Sequence, residues 1–243
     1  MHRELLSESD NMAITYEEII DELKACVKDG LAEFSAKLTP NCGLILGVSV
    51  KDIRRIAKRL KSDYEAVLNL PHNNILEINL LKGCALGYAD CDIDTKCRYL
   101  HTLAKEFKNW QETDITACSI KVKLEEKPRL WETALLLTCK NGEFEIRQGI
   151  VLILASLVDS FYINKIFEVL NRVTYGAYYV DMAAAWLLSV CYVKFPNLTS
   201  DYLFGENKLN AFTYSKALQK IIESYRVNDE DKAFIRSKRK NKS

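Results

Sequence analysis

The sequence predicts an all-α protein of stacked antiparallel helix pairs, and three observations support this fold class. The chain has 243 residues, of which 48% are hydrophobic, so it can bury a sizeable core. It contains only nine Gly and four Pro, too few for a turn-rich β fold. Apolar residues recur at helical spacing in successive segments, and no segment alternates strictly over six or more residues.

The N-terminal part of the chain contains two predicted helices. The segment 15–28 carries an apolar stripe and ends before Gly30, a residue type that commonly stops helices. A shorter helix follows over 31–38, and residues 39–43 form a break that contains Pro and Gly. We expect residues 1–12 to form a loose leader.

The next helix, predicted over 50–60, is strongly basic. Ser49 is the expected N-cap, because its hydroxyl can accept an N–H group of the first turn. Five cations cover the helix outside its apolar stripe: Lys51, Arg54, Arg55, Lys58 and Arg59. Cations this dense repel one another, so one interpretation pairs the last four with the phosphates of DNA. The other interpretation is a solvated basic face.

Short connectors separate the remaining predicted helices, and we interpret Pro196 in one of them as a helix stop. These helices lie at about 63–69, 73–88, 93–107, 109–122, 127–139, 143–158, 160–172, 177–195, 208–225 and 229–239. They form pairs with a period of about 35–40 residues, which is typical of HEAT-like (ARM-like) repeats. The sequence therefore predicts an α-solenoid in which the second helix of each pair lines a concave groove.

Charge is unevenly distributed along the chain, although its formal net charge is only +1. Residues 1–35 hold nine acids and three bases, whereas the basic tail, 236–243, holds five bases and no acid. We expect a single domain over 1–243, with the basic tail as a frayed, solvated terminus.

Cysteine and histidine usage argues against a metal site. No pair among the eight Cys has C-x-x-C spacing, and the chain has only three His. We expect mostly buried, free thiols in a reducing compartment. The most apolar run, 177–193, contains Asp181 and is shorter than the ~20 residues that span a bilayer. Residues 1–20 have no signal-peptide pattern, so we expect a cytoplasmic protein without a membrane partner.

The helix predicted over 109–122 has an unusual first turn. Asn109, with Glu112 three residues later, is a helix-start signature. Trp110 and Asp114 lie four residues apart and hence on one helix face, so that an indole ring stands beside a carboxylate. Packing alone would favour Leu or Ile at these positions.

Two later residues are unusual in the same way. Arg147 heads the apolar stripe of 143–158, and Trp186 is a large ring that follows three Ala. Each has an ordinary explanation, because a helical Trp is usually core, a helical Asp is usually solvated, and an Arg can extend its head to water. Together with Trp110 and Asp114, they could line one site.

Helix spacing supports a single site. The predicted helices 109–122, 143–158 and 177–195 start 34 residues apart. In a stack of repeats, helices that are one period apart pack side by side. We therefore expect the two Trp, the Asp and the Arg to converge on one concave face.

Five stretches of the chain form a recognisable pattern. They are Leu46-Gly47-Val48 with Ile53-Arg54-Arg55-Ile56-Ala57-Lys58, Asn109-Trp110 with Asp114, Phe144-Glu145-Ile146-Arg147 with Gly149-Ile150-Val151, Tyr178-Tyr179-Val180 with Met182-Ala183 and Ala185-Trp186, and Lys216-Ala217-Leu218-Gln219-Lys220-Ile221 with Glu223-Ser224-Tyr225-Arg226. Because these stretches agree in order and spacing with the family pattern, the chain resembles the bacterial AlkD-like DNA alkylation repair family over about residues 36–240.

The resemblance implies a monofunctional DNA glycosylase that removes cationic N3- and N7-alkylated purines. It implies that Asp114 is the catalytic carboxylate, that Trp110 and Trp186 are site tryptophans, and that Arg147 is the site arginine. We expect Arg147 to hold a backbone phosphate. Members of the family are thought to act without the base-flipping pocket of other glycosylases.

The partner implied by the resemblance is double-stranded DNA that contains alkylated purines. Lys216 and Lys220, in the last matching stretch, are expected to bind this DNA beside the basic helix 50–60. We expect a monomer that uses no metal and no organic cofactor, because the leaving base is already cationic.

Two positions depart from the family pattern. Asp181 stands where a polar or basic residue is expected, and would put an anion near the groove. Leu38 falls where some members carry an aromatic residue that reaches the site. A catalytically inert DNA-binding protein of the same family is therefore a competing hypothesis. A protein scaffold is a third, because helical solenoids often bind partners without catalysis.

Overall fold

The structure is a computed structural model that describes residues 14–39, 42–72 and 74–240. Its fourteen α-helices are α1 (Tyr16–Lys24), α2 (Leu31–Leu38), α3 (Val50–Arg59), α4 (Tyr64–Leu68), α5 (Leu76–Tyr88), α6 (Ile93–Glu106), α7 (Trp110–Ser119), α8 (Lys127–Thr138), α9 (Glu143–Ser156), α10 (Ile163–Leu170), α11 (Tyr178–Lys194), α12 (Pro196–Phe204), α13 (Ala211–Glu223) and α14 (Asp229–Lys240). A 3₁₀ helix, Leu124–Glu126, precedes α8. These ranges contain two isolated β-bridges and no strand, which confirms the all-α prediction.

Side-chain caps explain where several helices begin. The Ser49 hydroxyl accepts a hydrogen bond from the Asp52 N–H, so Ser49 is the N-cap of α3, as predicted. Asn109 caps α7 in the same manner. At α1, Thr15 and Glu18 form a capping box, in which each side chain accepts the backbone N–H of the other residue.

Three differences between the structure and the sequence-based expectations have a clear physical or structural consequence. α1 ends at Lys24, four residues before the predicted end. Pro196, which we interpreted as a helix stop, is instead the first residue of α12. Pro suits that position because a first-turn N–H has no helical partner. α14 reaches Lys240, so most of the basic tail is helical rather than frayed. Residues 241–243 and the expected leader, 1–12, lie outside the described residues.

Six helices form a continuous row. α3 packs against α5, α5 against α7, α7 against α9, α9 against α11, and α11 against α13. Several of the intervening helices pack against members of this row: α4 on α5, α8 on α9, α12 on α11 and α14 on α13. The Tyr179 N–H at the start of α11 donates to Glu143 at the start of α9, and Lys194 at the end of α11 donates to the Val158 carbonyl oxygen just after α9, so these two helices run parallel. The predicted adjacency of α7, α9 and α11 is therefore confirmed.

Two glycines allow α5 and α7 to approach closely. A Cβ atom at Gly83 would lie 2.0 Å from Thr116 Oγ1, and one at Gly87 would lie 2.5 Å from the Ser119 carbonyl oxygen. Both distances are far below van der Waals contact, so only Gly permits this packing. The close approach fixes α7, the helix that carries Trp110 and Asp114.

A buried carboxylate holds the segment that leads into α3. Glu77 of α5 accepts hydrogen bonds from the N–H groups of Leu46, Gly47 and Val48 at 3.0, 2.9 and 3.2 Å. Hydrogen bonds to an ionised acceptor are stronger than neutral ones. They anchor the start of α3 on α5 and thereby position the basic helix.

Two apolar clusters make up the core. The smaller one joins α1, α3 and much of α5, and includes Ile19, Ile53 and Leu81. The larger one runs from Leu68 of α4 and Leu86 of α5 to Ile235 of α14. Across the described ranges, no helix has both the length and the apolar character to cross a bilayer.

All eight cysteines are free thiols. Burial raises the pKa of most of these thiols, to about 11 for Cys42 and to about 12 for Cys191. In the part of the chain that the structure describes, no group of three or more His, Cys, Asp or Glu could hold a metal ion.

Candidate functional site

The first turn of α7 is fixed by polar contacts on one side of the helix. Asn109 Oδ1 accepts two N–H groups of this turn, at 3.0 and 3.1 Å. The buried Glu112 carboxylate accepts a hydrogen bond from Asn79 Nδ2 of α5 at 2.9 Å. Trp110 and Asp114 lie on the opposite side of α7, because residues two positions away from Glu112 are rotated by about 200° around the helix.

Asp114 and Arg147 form a buried, bidentate ion pair between α7 and α9. Arg147 Nε donates to Asp114 Oδ1 at 2.8 Å, and Nη2 donates to Oδ2 at 2.7 Å. The side chains are 12% and 7% exposed, respectively. The Thr113 hydroxyl, 3.0 Å from Asp114 Oδ1 and 2.9 Å from the Trp110 carbonyl oxygen, can donate to either. Helix spacing and the family resemblance together predicted that these two residues share one site.

Tyr179 supplies a third contact to Arg147 from the start of α11. Its carbonyl oxygen accepts from Arg147 Nη1 at 2.7 Å, and its ring centroid lies 5.8 Å from the guanidinium carbon. Glu143 Oε1 in turn accepts the Tyr179 N–H at 2.7 Å. The guanidinium is therefore held from two helices, and it fixes the orientation of the Asp114 carboxylate. Sequence reasoning missed this role of Tyr179, because every residue has a carbonyl oxygen.

Trp186 lies on the same side of α11 as Tyr179 but farther along the helix. The two residues are seven positions apart, which is two turns and about 10 Å along the axis. Trp186 lines a hollow of about 560 Å³ together with Leu154, which follows Arg147 by the same seven positions on α9. The structure therefore puts Trp186 on the face of the ion pair, about two turns from it.

Two lysines of α13 add positive charge to this face. Burial lowers the pKa of the Lys220 ammonium, Glu223 opposes this effect, and the charges of Arg147 and Lys216 lower it further. Lys220 therefore lies within electrostatic range of both Arg147 and Lys216. The Lys216 ammonium also donates to Gln219 Oε1 at 3.2 Å.

Arg54 of α3 brings a further positive charge near α7. Cys118 lies one turn after Asp114 on α7. Burial raises the pKa of the Cys118 thiol, the Asp114 carboxylate raises it further, and the Arg54 guanidinium opposes both. Arg54 acts in the same sense on Cys84 of α5. Arg54 therefore lies near Cys84 of α5 and within electrostatic range of Cys118 of α7.

A sequence model of the family described as DNA alkylation repair enzyme matches residues 19–221. The match runs from α1 into α13 and includes every residue of the site described above. The chain belongs to the DNA alkylation repair enzyme family. This confirms the family that the sequence motifs indicated. A search of curated proteins finds no match.

The first departure from the family pattern, Asp181, is buried and engaged in hydrogen bonds. The residue is 3% exposed. Its Oδ1 accepts the Gly176 N–H at 3.0 Å, and its Oδ2 accepts from Asn210 Nδ2 at 2.8 Å. Gly176 has a φ of 115°, a conformation that favours Gly, and Asn210 is the N-cap of α13. Asp181 thus joins the starts of α11 and α13.

The second departure, Leu38, contacts the site through its backbone. Trp110 Nε1 donates to the Leu38 carbonyl oxygen at 3.0 Å, and this bond holds the indole against the end of α2. Phe34 precedes Leu38 by one turn on α2, and both side chains are exposed. An aromatic ring is therefore present on this face of α2, four residues before the position where we expected one.

The four cations predicted to bind DNA from α3 differ in their surroundings. Arg59 pairs with Glu22 of α1, and Arg55 Nε lies 3.8 Å from Asp52 Oδ1. Arg54 and Lys58 lie one turn apart and form no ion pair within the described ranges. The difference arises because the four side chains spread over about 140° of the helix surface, and one edge of this arc meets the acidic helix α1.

Proposed function

We propose that this protein is a DNA glycosylase that hydrolyses the N-glycosidic bond of cationic N3- and N7-alkylated purines in duplex DNA. The observation that carries the proposal is the buried Asp114 carboxylate, held by Arg147 on a face that also bears Arg54 and Lys220. A cationic surface attracts the phosphates of DNA. A fixed anion within that surface stabilises the positive charge that develops at one sugar during the reaction. Membership of the DNA alkylation repair enzyme family supports the same substrate class.

We infer that the row from α3 to α13 is the inner layer of a HEAT-like α-solenoid, and that its concave face binds the duplex. The successive packing of these six helices supports this inference. Cations from α3, α9 and α13 would then contact phosphates at several points along the backbone. Such contacts fix register without reading sequence.

The proposed hydrolysis explains why the site contains a carboxylate. An alkylated purine that already carries positive charge leaves as a neutral base with the electron pair of the glycosidic bond, so no general acid is needed. The oxygen of a water molecule then forms the new bond to C1′ of a sugar with oxocarbenium character. Asp114 stabilises that cation and accepts the proton of the water, a contribution of roughly 10²–10⁴-fold for general-base help.

The neighbouring side chains have distinct proposed roles. Arg147 uses three of its five N–H donors on Asp114 and Tyr179, which leaves two for a backbone phosphate. Trp110, one turn before Asp114, presents an indole face to the cationic sugar, worth about 0.5–2 kcal/mol. Trp186 contacts the DNA two turns away, on the same face.

A catalytically inert DNA-binding protein of the same family is the second candidate. One observation favours it: both oxygens of Asp114 already accept hydrogen bonds in the free protein. A carboxylate engaged in this way can serve as a structural ion pair that only links α7 to α9.

Release of free base from methylated duplex DNA separates the two candidates. We expect the parent protein to release 7-methylguanine or 3-methyladenine, and Asp114→Asn to reduce the rate by about 10²-fold or more. DNA affinity should hold or rise slightly, because an anion leaves a phosphate-facing surface. Chromatography of the released base measures the rate, and fluorescence anisotropy measures the affinity.

Asp94→Asn on α6 is the matched control, because it makes the same change at an exposed ion pair with Arg129. It should excise at the parental rate. A folded Asp114→Asn variant that also excises at the parental rate would remove Asp114 from the mechanism. A parent that binds the duplex but releases neither base would favour the inert protein.

A further inference from the structure

A hollow of about 560 Å³ opens where α9, α11 and α13 end. Its volume falls in the range of roughly 300–1,000 Å³ that is usual for small-molecule sites. Leu154 and Trp186 line it, and they follow Arg147 and Tyr179 by two helical turns each. The hollow therefore lies on the face of the ion pair, displaced along the helices.

The lining of the hollow combines aromatic and aliphatic surface. Trp186 is partly buried in it, and Val190 and Val193 extend the same face of α11 by one and two turns. Tyr225, directly after the C-cap of α13, also lines the hollow and is fully exposed. Flat aromatic rings beside aliphatic walls suit a planar, apolar-faced ligand.

The charged residues of the lining are both cations. Arg226 is exposed at the end of α13, and Lys194 ends α11, where its ammonium donates to the Val158 carbonyl oxygen at 2.8 Å. Lys220 continues the positive charge along α13 towards Arg147. A ligand of this hollow should therefore join a planar ring to an anionic group.

We propose that the hollow binds one unpaired nucleobase of the DNA, stacked on Trp186 and Tyr225, with its phosphate on Arg226. A nucleotide is the ligand that joins a planar ring to an anion on a surface that binds DNA. The inference rests on the proposed DNA-binding face but not on catalysis. It adds a base-binding site to a face that otherwise contacts only backbone, and every base offers a π face for stacking.

The test compares two duplexes that differ only in one extrahelical nucleotide. One carries an unpaired adenine, and the other carries an abasic tetrahydrofuran at the same position. Stacking is worth about 1–3 kcal/mol per base, so the parent should bind the adenine bulge roughly 5- to 100-fold more tightly in fluorescence anisotropy. Tyr225→Ala should remove most of this preference, while Tyr225→Phe should keep it.

Phe161→Ala is the control, because Phe161 is an exposed aromatic residue next to α10 that does not line the hollow. It should keep the preference. Equal affinity of the parent for the two bulges, or a preference that survives Tyr225→Ala, would overturn the inference. Base release distinguishes this failure from failure of the proposed function. If the parent protein prefers the adenine bulge but releases no alkylated base, the base-binding site stands and the proposed glycosylase function fails. If it releases alkylated base but shows no preference between the two bulges, the function stands and the base-binding site fails.

Discussion

The ion pair of Asp114 and Arg147 and the pair of Arg59 and Glu22 have the same chemistry in different surroundings. The first joins α7 to α9, with both side chains at most 12% exposed. The second joins α3 to α1, with Arg59 54% exposed and Glu22 24% exposed. Both pairs connect distant parts of the chain. Burial is therefore the variable that separates them.

Because of this difference, breaking an ion pair of this protein should reduce its stability substantially only where water is excluded. An exposed ion pair contributes about 0–1 kcal/mol, because water screens the charges and mobile side chains lose entropy. Breaking a buried pair costs about 3–5 kcal/mol, because one charge remains desolvated without a partner. We therefore expect the cations of α3 to exchange acidic partners for DNA phosphates, whereas Arg147 keeps Asp114 as its partner.

Removal of the buried cation should have the largest effect. Arg147→Met leaves Asp114 unpaired between α7 and α9, so the free energy of unfolding should fall by about 3–5 kcal/mol. Urea denaturation followed by circular dichroism measures the change. Arg59→Met, the matched change at the exposed pair, should cost about 1 kcal/mol or less.

The double variant Asp114→Asn/Arg147→Met sharpens this comparison. It removes both charges and should recover part of the stability lost in Arg147→Met, because no unpaired charge remains. Equal losses for Arg147→Met and Arg59→Met would mean that burial does not separate the two pairs.

Charge reversal on α3 should have an intermediate effect, on DNA affinity rather than on stability. Arg54→Glu with Lys58→Glu should weaken duplex binding irrespective of sequence, and should flatten the salt dependence by about 0.9 in slope per lost phosphate contact. Arg55→Glu with Arg59→Glu should weaken it less, because those cations face Asp52 and Glu22. Anisotropy titrations at several salt concentrations measure both slopes. Equal slopes for the two double variants would show that the α1 side also meets DNA.

The smallest effect concerns the protonation of Lys220. Its pKa in the free protein is lowered, so its ammonium loses a proton below the ordinary pH for lysine. A DNA phosphate favours the ammonium form and should raise this pKa. The contribution of Lys220 to affinity is therefore fully present below the lowered pKa of the free protein, and is lost as the pH rises from that pKa to the higher pKa in the complex.

A severalfold loss of affinity at alkaline pH should follow, measured by anisotropy. Lys220→Arg is the control, because a guanidinium stays charged and should remove this pH dependence. The same alkaline loss in the Lys220→Arg variant would assign the titration to another group.

The sequence by itself determined the helices and their order. Apolar periodicity located thirteen of the fourteen helices in approximate position, and the caps at Ser49 and Asn109 were evident from residue type, because capping is a local interaction. The regular spacing also predicted that α7, α9 and α11 are neighbours, because a repeat packs each helix on its equivalent in the next repeat. α12 was missed because Pro196 suits a helix start as well as a helix stop.

Only the tertiary structure decided which charges pair. Asp114 with Arg147, Asp181 with Gly176 and Asn210, and Arg59 with Glu22 are contacts between residues that are far apart in the chain. The contacts that Arg147 and Trp110 make to carbonyl oxygens have no sequence signal at all, because every residue carries that acceptor. A charged side chain can pair with any opposite charge within reach, so its partner and its burial depend on how the helices pack around it.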